Sequence, residues 1–188
     1  MELTEILEQH RSHYLKHFIE MSKKCNGSEI LVDQKNDEEI ELFRLYRFDC
    51  IERNEDDSFK ILEYNHESFL NHPTISFKIY GVDIELNPIY WNGVEIDVYE
   101  FNEKWEEIHI WALKWIGVED EKDFNSIGEL SGFIHNYQKP DISEGKVTLA
   151  IDFGTSDVLS ILELIEILAD NEATKINIHS GSMINGDE

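Results

Sequence analysis

The sequence predicts an α+β domain with a mixed, mostly antiparallel sheet, about three helices and a C-terminal βαβ unit. Two observations support this prediction. Apolar residues recur with helical spacing in three stretches, at 2–24, 103–116 and 156–170. Between these stretches lie seven to nine short runs of strand-like alternation, bounded by Gly, Asn and Asp. We therefore expect one domain over residues 1–180 and a frayed tail over 181–188.

The first part of the chain is predicted to form a helix and then strands. Asn26-Gly27 ends the first helix, and strands follow at 29–33, 40–52 and 58–64, with an interruption at 36–39 and a hairpin turn at 54–57. The segment 75–101 holds three alternating runs, with Asn92-Gly93 before the last. Because Asn-Gly between alternating runs is typical of a hairpin, this segment predicts an antiparallel meander.

The second part is predicted to alternate between helix and strand. A helix over 103–116 has Asn102 as its N-cap and Gly117 at its end, with Trp105 and Trp115 on its apolar face and Trp111 off that face. Strands are expected near 130–138, at 147–153 and at 176–179, and a helix runs from 156 to about 170. The strand, helix, strand order at 147–179 predicts a crossover between parallel strands.

One string, Ile-Asp-Phe-Gly-Thr-Ser at 151–156, resembles two known motifs. Its Asp-Phe-Gly is similar to the magnesium-binding triplet of protein kinases, and the whole string is similar to the first phosphate loop of the actin and sugar-kinase superfamily. The other motifs of those families are missing from the sequence. The string therefore favours a structural turn, in which Gly154 permits the backbone, Thr155 or Ser156 caps the helix, and the helix dipole favours Asp152.

No other motif predicts catalysis, a metal or a cofactor. His10, His13 and His17 lie on adjacent helix faces, but no fourth ligand accompanies them, so packing or surface roles are expected. Cys25 and Cys50 are too few for a disulfide framework and lack metal-ligand spacing. We also expect neither a secretory signal nor a transmembrane span, which together with the two cysteines predicts a cytoplasmic protein.

Charge is the strongest indication of function. The chain carries 40 acids against 16 bases, a net charge of -24 over 188 residues, and 41% of its residues are hydrophobic. A chain this apolar folds, so the excess charge is expected on its surface. Residues 61–188 hold 25 acids and 7 bases, and no basic residue lies between Lys78 and Lys104. A field of this sign excludes nucleic acid and anionic membranes as ligands and favours a basic protein partner.

The lysine-free segment supplies the predicted contact surface. Alternation places Asp83 with Glu85, and Glu95 with Asp97, on one side of their strands. Aromatic side chains among carboxylates are what an interface facing Arg or Lys uses. The predicted partner-binding residues are Asp83, Glu85, Tyr90, Trp91, Glu95, Asp97, Glu100, Glu103, Glu107 and Trp111.

The overall character of the chain resembles bacterial immunity proteins of polymorphic toxin and contact-dependent inhibition systems, which are small, acidic, cytoplasmic and non-catalytic. This resemblance implies direct complex formation with a basic, nuclease-type toxin domain. It assigns no role to any individual residue, because no diagnostic motif supports it. Two alternatives remain open. One is an acidic nucleic-acid mimic that inhibits a DNA-binding protein, and the other is a small hydrolase with an unrecognised carboxylate site. High-salt adaptation is a third explanation of the charge, and the sequence does not define the oligomeric state.

Overall fold

The computed structural model describes residues 2–33, 42–54, 58–64, 69–102, 104–118, 130–143 and 145–181. The helices are α1 (Leu3–Ser22), α2 (Trp105–Ile116) and α3 (Leu159–Asp170), and a 3-10 turn covers Leu42–Arg44. The strands are β1 (Gly27–Asp33), β2 (Leu45–Arg53), β3 (Phe59–Leu62), β4 (Ile75–Ile79), β5 (Val82–Leu86), β6 (Val94–Tyr99), β7 (Asn136–Tyr137), β8 (Asp141–Ser143), β9 (Lys146–Asp152) and β10 (Lys175–His179). The predicted interruption at 36–39, most of the turn at 54–57, Glu103 and all but one residue of the tail lie outside the described residues.

These elements form a mixed, mostly antiparallel sheet, so the predicted α+β class is confirmed. The strand order is β1-β2-β7-β9-β6-β10-β5-β4, with β3 beside β2 and β8 beside β9. Strands β9 and β10 both pair antiparallel with β6 and are joined by α3, which makes the predicted C-terminal βαβ unit. Strand β10 is also parallel to β5.

The predicted meander over 75–101 is wrong in its second half. Strands β4 and β5 form the expected hairpin, but β10 inserts between β5 and β6. Asn92-Gly93 does lie in a turn, where the Gly93 N–H donates to the Tyr90 carbonyl at 3.0 Å. The whole connection over 87–93 is longer than a two-residue hairpin loop, so the chain can pass a strand position. Ile176 and Ile178 of β10 then bury completely in the middle of the sheet.

The core lies between the apolar face of the sheet and the paired helices α2 and α3, and it also includes residues of α1, namely Leu3, Ile6, Leu7, Tyr14 and Phe18. Alternate residues of β5, β6, β9 and β10 are buried, and the same core includes Trp111, whose indole N–H donates to the Ser160 carbonyl at 2.9 Å. The prediction for the tryptophans of α2 is therefore wrong, because Trp111 is 2% exposed while Trp105 and Trp115 are only half-buried. The helix is rotated so that its most buried indole finds a hydrogen-bond acceptor on α3.

Helix ends follow sequence signals in some places and depart from them in others. Helix α2 ends at Gly117 as predicted, with φ of 69°, and a Cβ there would lie 2.6 Å from the Phe133 ring. The predicted caps are wrong: Lys104, not Asn102, precedes α2, and α3 begins at Leu159, after Val158. Thr155 and Ser156 do not cap α3. Both residues are buried, and their hydroxyls form other hydrogen bonds.

The sequence analysis also missed a covalent bond. Cys25 and Cys50, with Cα atoms 5.7 Å apart, form a disulfide between the end of α1 and β2. Among the described residues, no helix combines the length and the apolar character that crossing a bilayer requires.

Candidate functional site

The predicted acidic strands lie on the open face of the sheet, where basic side chains from other strands meet them. We call this surface the open sheet face, and it comprises Lys78, Asp83, Glu85, Glu95, Asp97, Lys146, Lys175 and His179. The Nζ of Lys78 lies 3.0 Å from the Oδ1 of Asp83, and the Nζ of Lys175 lies 3.0 Å from the Oε2 of Glu85. The segment that is free of lysine in the sequence is therefore supplied with lysines by β4, β9 and β10.

Asp97 is the most enclosed acid of the open sheet face. Its side chain is 8% exposed, and its carboxylate accepts hydrogen bonds from Thr148 at 2.7 Å and from Lys146 at 3.0 Å. Burial raises the pKa of Asp97, but the bonds from Thr148 and Lys146 and the nearby His179 outweigh it and lower the pKa. His179 approaches both Asp97, at 3.2 Å, and Glu95, at 3.8 Å. This part of the surface is a paired network.

The aromatic part of the predicted surface is not at the surface. Trp91 is 1% exposed and packs against the Phe153 ring, and Trp111 is in the core, so neither can contact a partner. Tyr90 is half-buried and stacks edge-on against Phe69. Glu100 and Glu107 are exposed, and the structure does not describe Glu103.

A second charged surface covers the outside of α2 and α3. We call it the helix face, and it comprises Glu106, Glu107, Ile110, Leu113, Lys114, Leu159, Glu163, Glu166 and Asp170. Lys114 lies 2.8 Å from Glu163, and Glu107 accepts a hydrogen bond from Asn171 at 2.8 Å. In the described part of the chain, the other three acids, Glu106, Glu166 and Asp170, have no basic side chain within ion-pair distance. The helix face thus carries unneutralised carboxylates.

The helix face also exposes aliphatic side chains. Ile110 is 60% exposed, Leu113 is 38% exposed, and Leu159 is 55% exposed. Ile110 and Leu113 are three residues apart and lie on the same side of α2. The sequence analysis missed these residues because it chose the contact surface from the lysine-free segment and from aromatic side chains. The hydrophobicity of Ile110 between Glu106 and Lys114 was the available signal.

A cluster of buried charges lies where β1, β2, β7 and β9 come together. At its centre is His135, which is 1% exposed. Its Nδ1–H donates to Asp49 at 2.7 Å, and its Nε2–H donates to Glu29 at 3.0 Å. Burial lowers the pKa of His135, but the hydrogen bonds to Asp49 and Glu29 outweigh it and raise the pKa to about 10. His135 is therefore a buried imidazolium held between two carboxylates.

Glu29 gathers donors from three segments of the chain. Ser131 donates to it through its hydroxyl and its backbone N–H, and Thr155 donates through its hydroxyl. Burial alone would raise the pKa of Glu29, but His135 and these hydroxyls lower it to about 2. The Glu29 backbone has φ of 55°, and its carbonyl accepts from Arg47 at 2.8 Å. An uncommon backbone conformation thus positions this carboxylate.

The string at 151–156 completes the cluster. Gly154 has φ of +48°, and a Cβ there would lie 2.2 Å from the His135 ring, so only glycine allows this approach. The Gly154 N–H donates to Asp152 at 2.8 Å. Burial, with the nearby Asp49 charge, raises the pKa of Asp152 to about 7 despite the opposing effect of His135. The predicted structural turn is present, and Thr155 binds Glu29 in place of capping a helix.

The same cluster contains one candidate set of metal ligands. Ligand atoms of Asp49, His135 and Asp152 all lie within 4.8 Å of one another. Both ring nitrogens of His135 already donate protons to carboxylates, and a protonated imidazole cannot ligate a metal. In the cluster as it stands, the hydrogen bonds of His135 to Asp49 and Glu29 occupy both imidazole nitrogens that an ion would need.

Comparisons of the chain with protein-family models, with curated proteins and with solved structures give no significant match.

Proposed function

We propose that this protein is a non-catalytic acidic binding protein that neutralises a basic, nuclease-type toxin domain by direct complex formation. The observation that carries the proposal is the helix face, where Glu106, Glu166 and Asp170 are unneutralised around exposed aliphatic side chains. Apolar contacts inside a charged rim are the usual anatomy of a protein interface. A basic partner would neutralise the rim and cover the centre.

Net charge alone does not explain the exposed aliphatic residues at the centre of the helix face. Ile110, Leu113 and Leu159 give a partner aliphatic area to bury, while carboxylates around them select against acidic partners. Adaptation to high salt would account for surface acids, but it does not require exposed aliphatic residues among them. Complementary charge would also accelerate association in a salt-dependent way.

The proposed complex can be tested through the genes that flank the coding sequence, because an immunity gene of these systems lies beside its toxin gene. Each neighbouring product is expressed alone and together with this chain, and growth is measured. We expect one neighbour to be basic and toxic alone and harmless in the presence of this chain. The combined change Glu106→Lys, Glu166→Lys and Asp170→Lys should abolish that rescue, and rescue that survives it would remove the helix face from the proposal.

Competition with duplex DNA for the isolated partner separates the nucleic-acid-mimic alternative from the toxin-binding proposal. A mimic would form its complex with a DNA-binding protein, and duplex DNA would compete with it for that partner.

We propose a cytoplasmic location for the neutralising complex from the resemblance to immunity proteins alone, because the Cys25–Cys50 disulfide removes the support that two free cysteines would give. A fluorescent-protein fusion that is recovered in the periplasmic or secreted fraction would contradict this location.

One observation favours a second candidate, a carboxylate-based hydrolase. Asp152 is half-buried and has a pKa of about 7 beside His135, which is a value suited to a general acid or base near neutral pH. A screen with chromogenic esters, phosphate esters and glycosides tests it. Hydrolysis that is lost in Asp152→Asn, with toxin rescue retained, would support this second activity.

A further inference from the structure

Three side chains of the buried charge cluster around His135 are arranged like a set of ligands around one point. They are Asp49 on β2, Asp152 at the end of β9, and His135, which directly precedes β7. The Oδ1 of Asp49 lies 2.7 Å from the Nδ1 of His135, and ligand atoms of all three residues lie within 4.8 Å of one another. The three residues are far apart in the sequence, so the fold brings them together.

Backbone donors hold each of the two carboxylates by one oxygen and leave the other oxygen for a ligand. The Tyr64 N–H donates to the Oδ2 of Asp49, whose Oδ1 faces His135. The Gly154 N–H donates to the Oδ1 of Asp152 at 2.8 Å. Among the residues that the structure describes, none donates a hydrogen bond to the Oδ2 of Asp152. Carboxylates that bind metal ions are themselves fixed by hydrogen bonds in this way.

The other side of the imidazole has the partner that a metal-bound histidine uses. The Nε2–H of His135 donates to Glu29 at 3.0 Å, and Glu29 is in turn fixed by donors from Ser131 and Thr155. A carboxylate on the second ring nitrogen fixes the tautomer and raises the basicity of the nitrogen that binds the metal. Nδ1 is then the ligand nitrogen, once an ion has displaced its proton.

The cluster holds more negative than positive charge. One imidazolium faces the carboxylates of Glu29, Asp49 and Asp152. Burial and the Asp49 charge raise the pKa of Asp152 to about 7 although His135 opposes them, so the third carboxylate is the least stabilised in its charged form. A divalent ion in place of the Nδ1 proton doubles the positive charge of the cluster and leaves the Nε2–H on Glu29.

We infer that Asp49, His135 and Asp152 form a binding site for a divalent transition metal ion of the Zn²⁺ class, in which the ion replaces the proton on Nδ1. Zn²⁺ sites with three protein ligands take water in the fourth position. Ligand atoms about 2.0–2.2 Å from an ion lie roughly 3–4 Å apart, so small side-chain rotations close this group on an ion. Asp152 is half-buried and gives the ion a route from solvent. The site does not depend on whether the helix face binds a basic partner.

Other histidine contacts offer fewer ligands. His13 and His17 on α1 have ring centroids 5.3 Å apart, and His10 and His72 form a hydrogen bond between their rings at 2.9 Å. Within the described part of the chain, only Asp49, His135 and Asp152 bring three His, Cys, Asp or Glu ligand atoms together.

A calorimetric titration of the chelator-treated full chain with Zn²⁺, in excess Mg²⁺ to occupy the surface carboxylates, tests the site. We expect one saturable site. Asp152→Asn should weaken Zn²⁺ affinity roughly tenfold or more, since loss of an outer-shell partner alone costs that much. Asp83→Asn, which alters an exposed aspartate of the open sheet face, is the matched control and should leave the affinity unchanged. His17→Gln should also leave it unchanged, and a loss there would place the ion on α1 and overturn the proposal.

A spectroscopic measurement on the unaltered chain keeps the proposal falsifiable if a variant folds poorly. In ¹⁵N NMR spectra of the metal-free chain, both ring nitrogens of His135 should carry protons. One equivalent of Zn²⁺ should remove the Nδ1 proton and retain the Nε2 proton that Glu29 accepts. Absence of saturable Zn²⁺ binding, an unchanged affinity in Asp152→Asn, or a His135 ring that keeps both protons at saturation would each overturn the proposal.

Discussion

The open sheet face and the helix face both expose carboxylates, but these are paired with basic side chains on the open sheet face and mostly unpaired on the helix face. On the open sheet face, each of four acids has a lysine or histidine within ion-pair distance. On the helix face, five acids share one lysine, Lys114. The local charge is therefore nearly balanced on the first surface and strongly negative on the second. An acidic sequence segment becomes an acidic surface only where neighbouring strands or helices bring no bases to it.

The buried cluster around His135 is the extreme case of paired charge, and its disruption should have the largest effect. His135→Gln leaves Glu29 and Asp49 buried without their cation, which typically costs about 3–5 kcal/mol. Urea unfolding measures this loss. His109→Gln, which alters a half-buried histidine packed against Phe43, is the matched control and should cost less.

The same cluster predicts a sign for the pH dependence of stability. The folded pKa of His135, about 10, is above the unfolded value of 6.5, so its contribution is complete below pH 6.5 and is lost as the pH rises to 10. The free energy of unfolding should fall by up to about 1.4 kcal/mol per pH unit in this window. Measurement above about pH 8 lies beyond most of the titration of Asp152, whose pKa is about 7. A slope that persists in His135→Gln would assign it to other groups.

The third prediction concerns binding and compares the two surfaces directly. Two variants each replace three carboxylates by amides, one on the helix face (Glu106→Gln, Glu166→Gln, Asp170→Asn) and one on the open sheet face (Asp83→Asn, Glu85→Gln, Glu95→Gln). Loss of three charge pairs should weaken the helix-face variant roughly ten- to hundredfold toward the basic partner that the growth assay identifies. The sheet-face variant should bind within about threefold of the unaltered chain, because its acids are already paired.

Calorimetry at two salt concentrations measures this difference. The affinity of the unaltered chain should fall with salt, and the helix-face variant should lose most of that dependence. If the sheet-face variant shows the larger loss, the contact surface is the one predicted from the sequence, and the helix face is not the interface.

The comparison of the two surfaces also shows what the sequence could predict. The period of the apolar residues predicted three helices and most strands, because burial on one face imposes that period. The position of β10 between β5 and β6 could not be predicted, because it depends on pairing between segments distant in the sequence. That insertion brings Lys175 and His179 between the two acidic strands, and so it removed the predicted acidic surface. The buried charge cluster was missed for the same reason, since Glu29, Asp49 and His135 are far apart in the chain.

The smallest expected effect is on stability. Its sign should differ between the two surfaces, so it distinguishes paired from unpaired charge most directly. In the sheet-face variant, Lys78 and Lys175 lose their partners, and stability should fall by up to about 1 kcal/mol. In the helix-face variant, no ion pair is lost and repulsion within an excess of negative charge is relieved, so stability should rise by a few tenths of a kcal/mol. Urea unfolding of both variants at low salt measures the two shifts, and added salt should reduce each of them. Destabilisation of both variants would mean that the helix-face acids have partners that stabilise the fold, and their availability to a basic partner would no longer follow.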